Sequence, residues 1–253
     1  MRLTFVVFTY ARCFHVLLEG FPDVRVIAHR GASARAPENT LTAFRAALED
    51  GADGVELDAR LTADDVVVVL HDDDVSRVSG AAGRVSEMTF EQLRALLVRG
   101  SERIPSLTEV LEVVSGRVDV VVEIKGAFGG ARAIPGEEVA RAVLPIIRDV
   151  PRVLVSSFDP GAVAYVRAAA REIPTAITIG GHAGLDETLS LALNAGHGEI
   201  HLPADRVEAA FVARAHESGL GVFTYTVNDQ ARVRDLEAMG VDGIFSDDPA
   251  GVR

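Results

Sequence analysis

The chain has one cysteine, one lysine and no tryptophan in 253 residues. The lone cysteine, Cys13, excludes an internal disulfide framework and favours a reducing, cytoplasmic setting. Positive charge is short: 25 Lys and Arg against 37 Asp and Glu leave a formal net charge of −12. That balance argues against nucleic acid as a partner, because phosphate neutralisation needs clustered Lys and Arg. No apolar run is long enough for a membrane-spanning helix, so no stable membrane insertion is expected. Low-complexity segments are absent too, and a hydrophobic content of 48% supplies a sizeable core. At this length a single large α/β barrel is a natural size.

The scarcity of lysine gives Lys125 weight. Every other basic side chain is an arginine, yet an ammonium is kept two residues after Glu123 in the apolar run VVVEIKG. A second feature is the stretch from Ile27 to Asp72, with His29 and His71 near its ends, each behind an apolar run. Between them Glu56 and Asp58 are spaced i, i+2 in GVELDA, which on a strand puts both carboxylates on one face. Like charges on one face repel, and a bound cation is the economical explanation.

Strand-like and helix-like segments alternate along the chain. Strands are expected at 24–28, 54–57, 119–124, 153–156, 175–179, 199–202, 221–226 and 243–245. Helices are expected from the PENT segment onward with Asn39 or Thr40 as cap, and at 106–114, 137–148, 161–170, 185–195, 204–218 and 229–239. Ser106 and Glu109 form a capping box for the second of these. Residues 126–136, rich in Gly and Ala, read as a mobile loop.

Residues 60–105 break the pattern: a strand at 66–70 follows a short turn with no crossover helix, so it belongs to an insertion, with a helix at 89–98. Eight βα units give a TIM barrel over residues 24–253, with this small inserted subdomain after the second strand. An open doubly wound sheet is the runner-up, but no glycine-rich dinucleotide turn follows the first strand. Residues 1–23 stand apart. Leu3 to Ala11 resembles a short export-signal core without a clear cleavage site, and the preferred reading is a strand or helix under the barrel, or a misassigned start.

The barrel gives the polar residues one address. His29, Glu56, Asp58, Glu123, Lys125, Ser157, Asn228 and Asp247 all fall near C-terminal strand ends, the face where barrel enzymes carry their chemistry. Three carboxylates from adjacent strands suit one Mg²⁺, Ca²⁺ or Mn²⁺ ion; the alternative is pairing with Arg30 or Arg60. His29 and His71 are the candidate acid and base, and Arg30 and Lys125 the cations for an anionic substrate. Asp72 either orients His71 or caps a turn. His15, His182, His197, His201 and His216 read as ordinary structural histidines.

HRG, PENT, E-x-D and T-x-D followed by HD, then E-x-K and VDGIxSD, appear in this order, and the chain resembles the glycerophosphodiester phosphodiesterase family over residues 25–250. The resemblance implies a metal-dependent hydrolysis of glycerophosphodiesters to glycerol 3-phosphate and an alcohol. It implies that His29 and His71 are catalytic, that Glu56, Asp58 and Glu123 hold the metal, that Arg30 and Lys125 contact phosphate, and that the insertion delivers His71. Glu38 and Asn39 of PENT would fix the loop carrying His29 and Arg30. Three positions depart from the family: Tyr225 stands for the usual tryptophan before T-V-N, Asp65 for the glycine of the T-x-D-G turn, and Ser246 for the threonine of the final T-D. Tyr225 keeps an aromatic wall and is expected to contact substrate. Attack by water and attack by a glycerol hydroxyl through a cyclic phosphate both stay open. So do two rival readings: lysophospholipase D type activity on lysolipids, and a silent phosphodiester-binding barrel.

Overall fold

A computed structural model describes residues 24–253. The segment 1–23, with its expected strand or helix, lies outside the described residues. Eight strands run parallel: β1 (Arg25–His29), β2 (Gly54–Leu61), β3 (Asp119–Ile124), β4 (Val153–Ser157), β5 (Thr175–Thr178), β6 (Glu199–Pro203), β7 (Gly221–Tyr225) and β8 (Gly243–Ser246). Each pairs with the next, and β1 pairs with both β2 and β8, which closes the barrel. Helices α1 (Leu41–Glu49), α2 (Leu107–Val114), α3 (Gly136–Ile147), α4 (Pro160–Ala169), α5 (Leu185–Ala195), α6 (Ala209–Glu217) and α7 (Gln230–Ala238) surround it. The fold is a TIM barrel, as the alternation of segments predicts.

The local signals act as expected at most helix starts. Thr40 caps α1 by accepting a hydrogen bond from Ala43 N at 3.2 Å, and Ser106 with Glu109 closes a full capping box on α2. Inside the barrel, Ile27, Val121, Leu154, Ala176, Phe223 and Phe245 form an apolar plug. A fully buried large side chain of this kind contributes roughly 1.5–3 kcal/mol. The functional face lies above that plug, where the inward positions turn polar.

Strand β2 is longer than its predicted end at Leu57. It continues to Leu61 because Ala59 and Leu61 keep an outward apolar rhythm while Val67–Val69 folds back antiparallel on residues Ala59–Leu61. Asp65, in the intervening turn, has φ 61°, a left-handed conformation that Asp tolerates better than most residues. The inserted residues then build their own small core from Val68, Leu70, Val75, Val78, Val85, Leu93, Val98 and Ile104. The helix expected over 89–98 stops at Arg94. Leu97–Val98 instead pairs antiparallel with Glu102–Arg103 around Gly100, whose φ is 77°.

One further expectation needs correction. The helix expected over 204–218 is split into a 3₁₀ turn at Ala204–Arg206 and α6. The loop 126–136 is tied at its base, where Ala127 and Ile134, both buried, exchange two backbone hydrogen bonds of 2.8 Å. No helix among the described residues is long and apolar enough to cross a membrane.

Candidate active site

The turn after β1 carries the first group. Gly31 has φ +81°, and a Cβ there would lie 2.6 Å from the Ala43 carbonyl carbon, so only glycine lets the turn pack on α1. Arg30, just before it, also sits at positive φ, 58°. Its backbone N–H donates to Glu56 Oε2 at 3.0 Å and its carbonyl accepts from Asn39 N at 2.9 Å. These bonds aim the Arg30 guanidinium at Glu38 (2.9 Å) and Asp58 (3.3 Å). The approach to Asp58 is not aligned as a hydrogen bond, and Arg30 Nε is buried without a hydrogen-bond partner. His29 Nδ1 meets Asp247 Oδ1 at 2.7 Å, so its Nε2 is the nitrogen left for other work. Burial opposes the charged imidazole, yet the Asp247 hydrogen bond and the Glu56 carboxylate outweigh it and raise the His29 pKa.

The carboxylates come next. Glu56 lies opposite His29 across the β1–β2 pair, and Asp58 lies opposite Glu123 across β2–β3. Oxygen atoms of Glu56, Asp58 and Glu123 all lie within 4.8 Å of one another. Lys125 Nζ donates to Glu123 and stands 3.2 Å from Asp58 Oδ1, while Asn39 donates to Asp58 Oδ2 at 2.8 Å. Glu56 Oε1 is buried and has no partner. Burial and the neighbouring Asp58 push the Glu56 carboxyl up to about 8. Asp58 goes the other way: burial opposes its charge, but Lys125 and Arg30 hold it well below the usual carboxylate range. Glu56 is therefore the carboxyl of this crowded site most ready to hold a proton. The other expected pairing partner, Arg60, turns elsewhere and donates to the carbonyls of His71 (2.7 Å) and Gly126 (2.9 Å).

The returning strand of the insertion brings in His71. Leu70 N–H donates to Asp58 O at 2.9 Å, which places the next residue over the carboxylates. His71 Nδ1 lies 2.8 Å from Asp72 Oδ1, so Asp72 is positioned to orient the ring. Burial, helped by Lys125 and Arg30, lowers the His71 pKa. Arg77 then locks the arrangement: it donates to Asp72 and twice to Glu38, at 2.7 and 2.8 Å, and Glu38 in turn holds Arg30.

A cavity of about 210 Å³ opens above the apolar plug, lined by His29, Arg30, Glu56, His71, Glu123 and Lys125 on one side. Tyr225 and Phe158 line it as well, their rings edge to face at 6.2 Å, and the Tyr225 hydroxyl donates to Ile179 O at 2.5 Å. Ser157 does not reach it; its hydroxyl donates to Ile124 O at 2.7 Å. Asn228 supports Asp247 from outside at 2.8 Å.

The sequence profile of the Glycerophosphoryl diester phosphodiesterase family matches residues 29–251. The chain belongs to that family. A glycerophosphodiester phosphodiesterase of Caldanaerobacter subterraneus is 35% identical over 236 residues, covering 88% of this chain and 94% of the relative. One from Bacillus altitudinis is 31% identical, covering 89% and 95%. Among solved structures, an Oleispira antarctica phosphodiesterase in complex with the product sn-glycerol-3-phosphate superposes with a TM-score of 0.81 at 28% identity, over 90% of this chain and 94% of that one. A glycerophosphodiester phosphodiesterase from Thermotoga maritima gives 0.76 at 30% identity, over 90% and 96%.

Within the phosphodiesterase site, four features are absent from the sequence reading. Asp247 as the His29 partner lies 218 residues away in the chain, and Arg77 carries no motif signal. The hydrogen bond from Asn39 to Asp58 shows that PENT acts on a carboxylate as well as on its own loop. His201, expected to be an ordinary core histidine, lines the cavity. Of the remaining histidines, His15 lies outside the described residues, His182 is exposed, His197 pairs with Thr175 at 2.9 Å and His216 with Asp242 at 2.8 Å.

Proposed function

We propose that this chain hydrolyses glycerophosphodiesters to sn-glycerol 3-phosphate and an alcohol, with His29 and His71 as its acid and base. The observation that carries the reading is the convergence of three carboxylates, two cations and two carboxylate-anchored histidines on one small cavity. Glu56, Asp58 and Glu123 would hold one divalent cation. The unpartnered Glu56 Oε1 and the all-oxygen donor set fit such an ion, Mg²⁺, Ca²⁺ or Mn²⁺ rather than zinc. When bound, the ion neutralises the trio and polarises the phosphoryl group.

The protein's own groups divide the remaining work. Lys125 and Arg30 receive the phosphate anion and stabilise charge that gathers on it as phosphorus is attacked. His71, whose lowered pKa keeps it neutral, takes the proton of the attacking hydroxyl at Nε2, whether from water or from the neighbouring glycerol hydroxyl. His29, with a raised pKa, delivers a proton to the departing alkoxide. Asp72 and Asp247 hold the two rings in the required tautomer. Tyr225 forms the wall against the substrate's organic portion. A cytoplasmic setting accords with the single cysteine.

The test is release of glycerol 3-phosphate from glycerophosphocholine and glycerophosphoethanolamine in the presence of each divalent ion. Turnover with at least one ion is expected; none with any of them overturns the proposal. A second reading, headgroup release from lysolipids, draws on Phe158 and Phe128, which are 46% and 79% exposed. Lysophosphatidylcholine in the same assay separates the two.

A further inference from the structure

The opposite end of the barrel carries a second cavity. It measures about 670 Å³ and opens where β4, β5 and β6 begin, at Val153, Thr175 and Glu199. The apolar plug lies between it and the catalytic cavity. Four arginines line it, Arg148, Arg152, Arg167 and Arg171, against two carboxylates, Glu172 and Glu199. In a chain of net charge −12 this excess of positive charge is a local one. Protein partners neutralise only part of it. Arg152 Nε donates to Asp119 at 2.5 Å, and Arg148 stands 4.0 Å from Glu172. Arg167 donates to the Arg171 carbonyl at 3.5 Å, and neither Arg167 nor Arg171 pairs with a carboxylate among the described residues.

The chain makes room for these groups. Gly196 ends α5 with φ +72°, and a Cβ there would lie 3.0 Å from Arg167 Nη2, so the missing side chain admits that guanidinium. The next residue, His197, is only 5% exposed. Its Nδ1 lies 2.9 Å from Thr175 Oγ1, while Nε2 has no hydrogen-bond partner among the described residues. Nε2 is not sealed from solvent, so it opens into the cavity that the ring lines. Burial, and then Arg167, lower the His197 pKa and keep the ring neutral at physiological pH. With the Thr175 hydroxyl donating to Nδ1, the Nε2 proton is directed outward. A buried imidazole N–H without a partner is a donor that a ligand can complete.

We propose that this cavity is a second anion site, which takes a phosphate dianion, free or as a monoester, on Arg167, Arg171 and His197. The excess of guanidinium over carboxylate groups suits a doubly charged ligand. The donors come from α4, from the residues just after it and from the turn before β6. Such a set fits the several oxygens of a tetrahedral group better than the two coplanar oxygens of a carboxylate. The site is independent of the catalytic reading, because none of the proposed catalytic residues lines it.

The experiment is an NMR titration of the histidine ring signals with inorganic phosphate at pH 8, against chloride at matched ionic strength, repeated with glycerol 3-phosphate. His29 and His71 report on the catalytic cavity and His197 on the second one, so the two sites are read separately. The His197 signals should shift and saturate with inorganic phosphate. An Arg167→Gln, Arg171→Gln double variant should weaken that binding by about tenfold or more with kcat unchanged. Arg141→Gln, which removes an exposed arginine of α3 outside the cavity, should leave the affinity as it is. Saturation by glycerol 3-phosphate as well supports a site that admits esters, and saturation by inorganic phosphate alone supports one that takes the free ion. His197 signals that never saturate with either, or a double variant that binds phosphate like the wild type, overturn the proposal.

Discussion

Asp247→Asn should uncouple His29 while leaving the barrel folded. The Asp247 carboxylate accepts hydrogen bonds from His29 (2.7 Å), Ser33 Oγ (3.0 Å) and Asn228 Nδ2 (2.8 Å). A carboxamide has one acceptor oxygen, so it can keep the imidazole only by turning its NH₂ toward Asn228. Burial opposes the Asp247 charge, but the His29 and Asn228 bonds outweigh it and lower the pKa from 3.8 to about 2. At full strength that lowering is worth about 2 kcal/mol. The side chain is 33% exposed, so solvent screening reduces the expected loss to about 1 kcal/mol. An acid with a lowered folded pKa contributes stability that is present above 3.8 and lost as pH falls through about 2. His29, with a raised pKa, contributes below 6.5 and loses its contribution as pH rises through its folded value. The mutational loss should therefore be largest near pH 5–6 and shrink toward pH 9, as read by urea unfolding. In the same variant kcat should fall by about 10²-fold or more, and the limb of the pH profile that reports His29 should move to lower pH. A variant with near wild-type kcat and an unmoved profile would refute the pairing as a functional one.

Other outcomes follow from the same geometry. His29→Ala and His71→Ala should each lower kcat by about 10²-fold or more with the Tm little changed; a fully active variant would make that histidine structural. Lys125 is the sole lysine, so amine-selective reagents reach it and the N-terminus alone, and peptide-mapped modification there should abolish activity, with glycerol 3-phosphate protecting. Lys125→Arg should also be impaired, because a planar guanidinium replaces a compact ammonium wedged between Glu123 and Asp58. His197 has its pKa lowered from 6.5 to about 4, mainly by burial and then by Arg167. A base with a lowered pKa stays neutral when folded, so stability falls as pH drops from 6.5 to about 4, by about 2–3 kcal/mol. His197→Asn should flatten that slope in urea unfolding at pH 4.5 and 7; an unchanged slope would rule His197 out.

Much of this was legible because the governing forces are local. The run DVVVEI reads as β3 with its bounds unchanged, and the Ser106–Glu109 capping box marks the start of α2. The i, i+2 spacing places Glu56 and Asp58 on the barrel's inner face once β2 is recognised. What escaped depends on distant partners. Charged Asp58 and Arg60 look like loop, and only pairing with β3 and the returning Val67–Val69 shows that β2 continues. Asp247 could be placed at a strand end, but barrel closure between β1 and β8 is what brings it to His29. His201 alternates like any inward strand residue, and nothing in its neighbours reveals that this level of the barrel opens into a cavity.

The most direct test concerns the carboxylate trio, where buried Glu56 lacks a partner for Oε1. Chelator-treated protein is titrated with Mg²⁺, Mn²⁺ and Ca²⁺ while Tm and glycerol 3-phosphate release are followed together, in the wild type and in a Glu56→Gln, Asp58→Asn double variant. A ligand that binds only the folded site raises the Tm. The wild type should be inactive without metal, then gain activity and Tm over the same concentration range, and the double variant should show neither response. Full activity in rigorously metal-free protein, or metal stabilisation unaltered in the double variant, would contradict the account.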